Sequence, residues 1–219
     1  LFGKFLTLSP LLIVQGRTVF AFGALLLAIL FLRKKIFFSE HREWLWLVLS
    51  GSILGVHWIA FFQAIQVSTV AIGLLSFASY PLFTTLLEPL FFREPLRVRN
   101  VFAALIVICG LTLMATSSSD DSNSIISGSV FHGILWGLMA GFGFAVLTLL
   151  NRGHVRKHSA LLITCWQNGF AALVILPWSL SESWIISGKE LGLLFILGVV
   201  CTVGGHTLLI NGLRHVRAQ

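Results

Sequence analysis

The sequence predicts an all-α, polytopic membrane helical bundle, and three observations carry that prediction. The chain has 219 residues, of which 57% are hydrophobic and only 11% charged, and its mean hydropathy is +0.94. Soluble domains hold roughly 25% charged residues, so this chain cannot cover a water-facing surface. Its apolar residues also form long unbroken runs, where a membrane β-strand would alternate over about ten residues. Finally, its cations gather in every second gap between those runs.

A spanning helix requires about 20 mostly apolar residues. Seven runs qualify: approximately 10–32, 44–65, 68–92, 99–116, 128–151, 159–181 and 190–213. The first carries Arg17, about 10 Å into the helix from Pro10 at ~1.5 Å per residue. The second holds GVHWIAFFQ, with His57 between Gly55 and Trp58. The third contains Pro81, which removes a backbone bond and should kink or hinge its helix. The fourth reads NVFAALIVICGLTLM. In the fifth, Gly133, Gly137, Gly141 and Ala145 put a small residue at every fourth place, which lets two helices approach closely. The sixth offers Thr164, Gln167 and Asn168, and the seventh GGHTLLIN with His206. TSSSDDSNSIISGS, Thr116–Ser129, reads as a flexible outer linker.

Twelve of the fifteen basic residues fall after the first, third, fifth and seventh runs: Arg33, Lys34, Lys35, Arg42; Arg93, Arg97, Arg99; Arg152, Arg156, Lys157; Arg214, Arg217. Positive charge marks the cytoplasmic side, so the loops after 32, 92, 151 and 213 are expected there, in a multi-pass protein of the cytoplasmic membrane. The net charge of +7 then reflects orientation in lipid, and no water-facing basic patch exists to bind nucleic acid. Cys109, Cys165 and Cys201 lie in apolar segments without CxxC spacing and read as small hydrophobes. No GxxxxGK[ST], HExxH or GxSxG sequence occurs. The expectation is therefore no metal, no cofactor and no nucleotide, with energy drawn from a solute or ion gradient.

The chain repeats. Shifted by 150 residues, Ser9–Ile13 (SPLLI) falls on Ser159–Ile163 (SALLI), and Phe20-Ala21 on Phe170-Ala171. Shifted by 149, Gly55-x-His57 falls on Gly204-x-His206. The copies are five spans apart, an odd number, so the second enters the membrane with the opposite orientation. Inverted repeats build many secondary transporters, with the solute site near the midplane. Completing both copies gives ten helices, of which about seven are expected here.

SPLLIVQGRTVFA, QVSTVAIGLLSFASYPLFTTLLEPLFFREPL and NVFAALIVICGLTLM resemble the second, fourth and fifth helices of the drug/metabolite transporter superfamily, in its EamA-type branch. The resemblance implies two repeats, at 1–119 with its first helix mostly missing and at 128–219 lacking its last two helices, joined by an outer linker at 120–127. It also implies alternating-access transport of small organic metabolites such as amino acids, in the export direction, with lipid and solute as partners and a homodimer as a possible assembly.

The residues nominate a site. His57 and His206 are polar groups in spans, which face the bundle or water, and imidazole titrates near neutrality. Each also fits helix packing. Trp58 and Phe61 adjoin His57 as an aromatic cage or as lipid contact. Arg17 reads as an anchor for an anionic solute group, or as a snorkelling or backbone-bonded cation. Ser76, Tyr80, Thr84 and Glu88 are spaced by four on the proline-bearing helix, with Ser79 and Pro81 beside them. They form a polar stripe for a solute path or for interhelical hydrogen bonds. Glu88, with His57, is the proton-coupling candidate. Gln167 and Asn168 add amides, Gln167 falling on Arg17 in the repeat, and Trp136 can project into the same cleft. The competing functions are an intramembrane enzyme, for which no catalytic spacing exists, and a non-transporting scaffold or remnant.

Overall fold

The computed structural model describes residues 6–38, 40–92 and 128–213, with residues 102, 105, 106, 109, 110 and 113. All regular structure among them is helical: α1 (Pro10–Phe31), α2 (His41–Val67), α3 (Val70–Phe77), α4 (Tyr80–Phe92), α5 (Gly128–His154), α6 (Ala160–Ser179), α7 (Gly188–Ile196), a π-helical segment (Leu197–Gly204) and α8 (Gly205–Gly212). Six stretches are long and apolar enough to span: Pro10–Phe31, His41–Val67, Val70–Phe92, Gly128–His154, Ala160–Ser179 and Gly188–Gly212. They correspond to six of the seven runs read from the sequence. The run at 99–116, the linker at 120–127 and the cations after residue 92 and residue 213 lie largely or wholly outside the described residues.

The helix starts follow from their caps. The Ser9 and Ser159 hydroxyls accept the Leu12 and Leu162 amide N–H groups at 3.4 and 3.3 Å. The repeated Ser-x-Leu-Leu-Ile thus begins both helices in one way. Ser187 and Glu190 form a capping box at the start of α7. Between α3 and α4 the helix breaks at Ala78-Ser79, just ahead of Pro81. Proline lacks an N–H, and its ring clashes with the carbonyl four residues back, here that of Phe77. The Ser79 hydroxyl donates to the Ser76 carbonyl at 2.6 Å and eases the break. The α5 glycines pack onto it: a Cβ on Gly141 would stand 3.1 Å from the Phe77 carbonyl oxygen and 3.3 Å from the Tyr80 nitrogen.

Directions follow from contacts. The start of α2 meets the end of α5 through Glu43–His154 (3.5 Å) and Trp46–His154. The loop after α1 meets the start of α6, where the Trp166 indole donates to the Ile36 carbonyl at 2.8 Å. Hence α1 and α6, which begin with the repeated sequence, run antiparallel. The two copies also exchange partners. A Cβ on Gly51 of α2 would meet Phe170 Cβ at 2.6 Å, the Gln167 carbonyl oxygen at 2.9 Å and the Ala171 nitrogen at 3.2 Å. On Gly198 of the π-helical segment it would meet the Arg17 carbonyl oxygen at 2.7 Å, Phe20 Cβ at 2.8 Å and the Ala21 nitrogen at 3.3 Å. Gln167, Phe170 and Ala171 are the residues that fall on Arg17, Phe20 and Ala21 in the 150-residue shift. Each copy's first helix thus seats a glycine of the other copy's second helix at one equivalent place.

Two apolar clusters close the ends. Leu25, Ile29, Phe38, Leu47, Val155, Ile163, Ile210 and Leu213 gather at one end with Phe92 and Trp166. This is where the span ends at residues 32, 92, 151 and 213 lie; of the cation-bearing loops, those after 32 and 151 are among the described residues and share this end. Leu6, Leu12, Phe62, Ile175 and Leu194 gather at the other, where Glu190 accepts from the Thr7 hydroxyl at 2.7 Å.

Candidate functional site

Arg17 is 2% exposed. Its guanidinium lies 3.4 Å from the centre of the Trp58 ring and 5.7 Å from that of Phe62, a desolvated cation–π arrangement. Nε and Nη2 donate to the Thr202 hydroxyl oxygen at 3.2 and 2.7 Å. Among the described residues no carboxylate pairs with it. A buried cation normally has an ionic or coordinating partner, so this one leaves a place for an anion.

His57, 1% exposed, donates Nδ1–H to the Ala140 carbonyl at 2.8 Å. A carbonyl accepts only from N–H, which fixes the tautomer and leaves Nε2 as an acceptor. That nitrogen is buried without a partner, as are the Trp58 indole N–H and both ring nitrogens of His206. The site therefore gathers Arg17, Trp58 and His57, and His206 of the second copy is likewise buried with no hydrogen-bond partner among the described residues. Buried polar atoms are almost always satisfied, and a solute or water with complementary groups would satisfy these.

An aromatic wall continues from it. His57 stands 4.8 Å from Trp58, 5.2 Å from Phe144 and 5.5 Å from Phe77, between ring centres. Tyr80 stacks on Phe77 at 5.5 Å and meets Phe144 edge-on at 5.0 Å. Phe61 joins at Phe77 and Trp58. Trp136 is half-buried, and no ring contact links it to this wall among the described residues.

The polar stripe behaves otherwise. The Thr84 hydroxyl donates to the Tyr80 carbonyl at 2.9 Å and that of Ser79 to Ser76, so both satisfy their own helix. Ser76 is fully buried against Gly137. Glu88, the proton-coupling candidate, forms a buried ion pair with Arg152, which also lies 4.3 Å over the Phe92 ring. Arg152 was counted among loop cations in the sequence; it belongs to the last turn of α5 and is 4% exposed. Beside it, Gln167 Nε2 donates to Asn151 Oδ1 at 2.6 Å, while Asn168 Nδ2 bonds back to the Thr164 carbonyl. Gln167 and Arg17, matched in the repeat, thus enter different clusters.

A separate groove of ≈ 300 Å³ lies between α2 and α5, lined by Ile53, Val56, Met139, Phe142 and Val146, with His57 in its wall. Val56, Met139 and Phe142 are exposed on the bundle's outer surface, so the groove faces lipid and is distinct from the Arg17 site. The sequence reading missed Thr202, Phe77, Phe144 and Arg152 as site residues. Arg152 had a signal, since a lone carboxylate at Glu88 near one end of a span calls for a cation at the same depth. Thr202 had none, because threonine is common in spans.

The described residues thus form a multi-pass helical membrane bundle that buries Arg17, His57 and His206, the first two beside an aromatic wall. The model of the EamA-like transporter family matches residues 1–116 and 131–219, and the chain belongs to that family. It is 27% identical over 136 residues to the uncharacterized transporter YxxF of Bacillus subtilis, covering 62% of this chain and 42% of that protein. With the uncharacterized transporter YwfM of the same organism it shares 25% over 216 residues, covering 96% and 70%. With a protein of Rickettsia felis named S-adenosylmethionine uptake transporter it shares 27% over 152 residues, covering 69% and 49%. The chain spans about half the length of most of these curated relatives. A solved crystal structure matches with a TM-score of 0.70 at 18% identity, over 95% of this chain and 71% of that one, which establishes the shared fold.

Proposed function

We propose that the protein is a secondary transporter that moves small carboxylate-bearing metabolites, amino acids among them, through the Arg17 site by alternating access. The supporting observation is the buried Arg17, which lacks a carboxylate partner among the described residues and lies against Trp58, whose indole N–H, like Nε2 of the adjoining His57, has no hydrogen-bond partner among them. Arg17 and the Trp58 indole donate to a carboxylate, His57 Nε2 accepts from an ammonium, and Phe77, Phe144 and Tyr80 flank the remainder. The S-adenosylmethionine named for the Rickettsia relative is itself an α-amino carboxylate, which agrees with this class. Export, the direction the resemblance implies, has no support in the site, and relatives named for uptake speak against fixing it. We take net flux to follow the gradients of solute and coupled ion.

The division into repeats at 1–119 and 128–219 joined at 120–127, the cytoplasmic placement of the cation-bearing end, and a homodimer belong to the same proposal. So does closure of that end by the Glu88–Arg152 pair in the state described. Reconstitution of the complete gene product in liposomes, with counterflow of labelled amino acids and S-adenosylmethionine, tests the reading. Counterflow of at least one such solute is expected, abolished by Arg17→Gln in protein that still inserts. No movement of any solute, or transport indifferent to Arg17→Gln, would overturn it.

A further inference from the structure

Thr202 lies in the π-helical segment Leu197–Gly204. Its hydroxyl donates to the Leu197 carbonyl five residues back at 2.8 Å and accepts two N–H groups of Arg17. Six residues separate Gly51 from His57, but eight separate Gly198 from His206. The two glycines occupy equivalent seats, and both histidines are buried. A π turn takes one residue more than an α turn, so about two such turns absorb the extra pair. The unusual helix therefore lets the second copy's histidine, like the first, end buried despite the longer spacing, and Thr202 sits in that segment.

The two bonds occupy one edge of the guanidinium, Nε with Nη2. Its planar fork offers two edges for bidentate carboxylate binding, and the Nη1–Nη2 end is the one left. We infer that Thr202 is the positioning residue for Arg17. It takes the side edge, holds the guanidinium over the Trp58 ring and commits the free end to the solute carboxylate. This rests on the reading of Arg17 as the solute anchor.

The test uses the full-length protein in lipid nanodiscs, as wild type, Thr202→Val and Thr202→Ser. The Arg17 Nε–H resonance, assigned by its loss in Arg17→Lys, reports the bond directly. Thr202→Val is expected to speed its hydrogen exchange about tenfold or more, the loss appropriate to a hydrogen bond to a charged group, and Thr202→Ser to leave it near wild type. For whichever labelled amino acid shows counterflow, Thr202→Val is expected to raise KM about tenfold with little change in maximal rate, and Thr202→Ser to restore it. Unchanged exchange in Thr202→Val overturns the inference. So does equal damage in both variants with lowered melting temperature, which marks a merely structural role. If wild type moves no solute, the transport reading fails, and the exchange measurement alone decides whether Thr202 holds Arg17.

Discussion

Replacing Gly51 and Gly198 by alanine, singly, tests the exchange of partners between the two copies. At Gly51 the new methyl would meet the Gln167 carbonyl oxygen at 2.9 Å and Phe170 Cβ at 2.6 Å; at Gly198 it would meet the Arg17 carbonyl oxygen at 2.7 Å and Phe20 Cβ at 2.8 Å. Ordinary carbon contacts lie near 3.5–4.0 Å. The obstacles are backbone and Cβ atoms, which no rotamer change moves, so the helices must part by several tenths of an ångström. Overpacking of this kind costs about 1–3 kcal/mol. In a chain this long that lowers the melting temperature by roughly 2–12 °C, and the two sites should suffer alike. Gly205, with nothing within 4 Å of its added Cβ, is the control: its alanine variant should match or slightly exceed wild type, by up to about 1 kcal/mol. Thermal unfolding of purified protein in one detergent, followed by tryptophan fluorescence, reads all three. Wild-type stability in both Gly51→Ala and Gly198→Ala, or a loss at one alone, would refute the equivalence of the two seats.

Removing one partner of the buried pair, as in Glu88→Ala, should cost about 3–5 kcal/mol. The double variant Glu88→Met/Arg152→Leu should recover much of that in the same unfolding assay. Ser9→Ala and Ser159→Ala should each cost about 1 kcal/mol and add in the double variant, since the caps lie at opposite ends of the bundle; strong non-additivity would argue against independent caps. Pro81→Ala restores an N–H toward the Phe77 carbonyl. Stability should change little, while transport of any solute found by counterflow should fall several-fold if the break is a hinge; unchanged transport would remove that role.

What the sequence determined alone is what lipid imposes. Apolar runs of spanning length must become helices because backbone polar groups have no water to bond. Six of these runs are the described spans, and the span ends at residues 32, 92, 151 and 213, which the clustered cations follow in the sequence, share one end of the bundle. The repeat was equally legible. An offset of about 150 residues requires only residue identity, and its inversion only an odd number of spans, which the antiparallel α1 and α6 display. Arg17 and His57 stood out because each is costly in a membrane unless enclosed, and both are enclosed.

The tertiary structure decided which polar residues meet. Ser79 and Thr84 fall on the stripe that helical spacing predicts, yet their hydroxyls bond to their own helix. Spacing alone leaves open whether such a hydroxyl bonds back to its own helix or across to another. Arg152 looked like a loop cation until the bundle set it beside Glu88. Thr202, in the π-helical stretch, is a partner of Arg17 across 185 residues of sequence. Hydropathy reports the cost of entering lipid, residue by residue. Pairing inside the bundle depends on distances between helices far apart in the chain, and only the packed fold sets those.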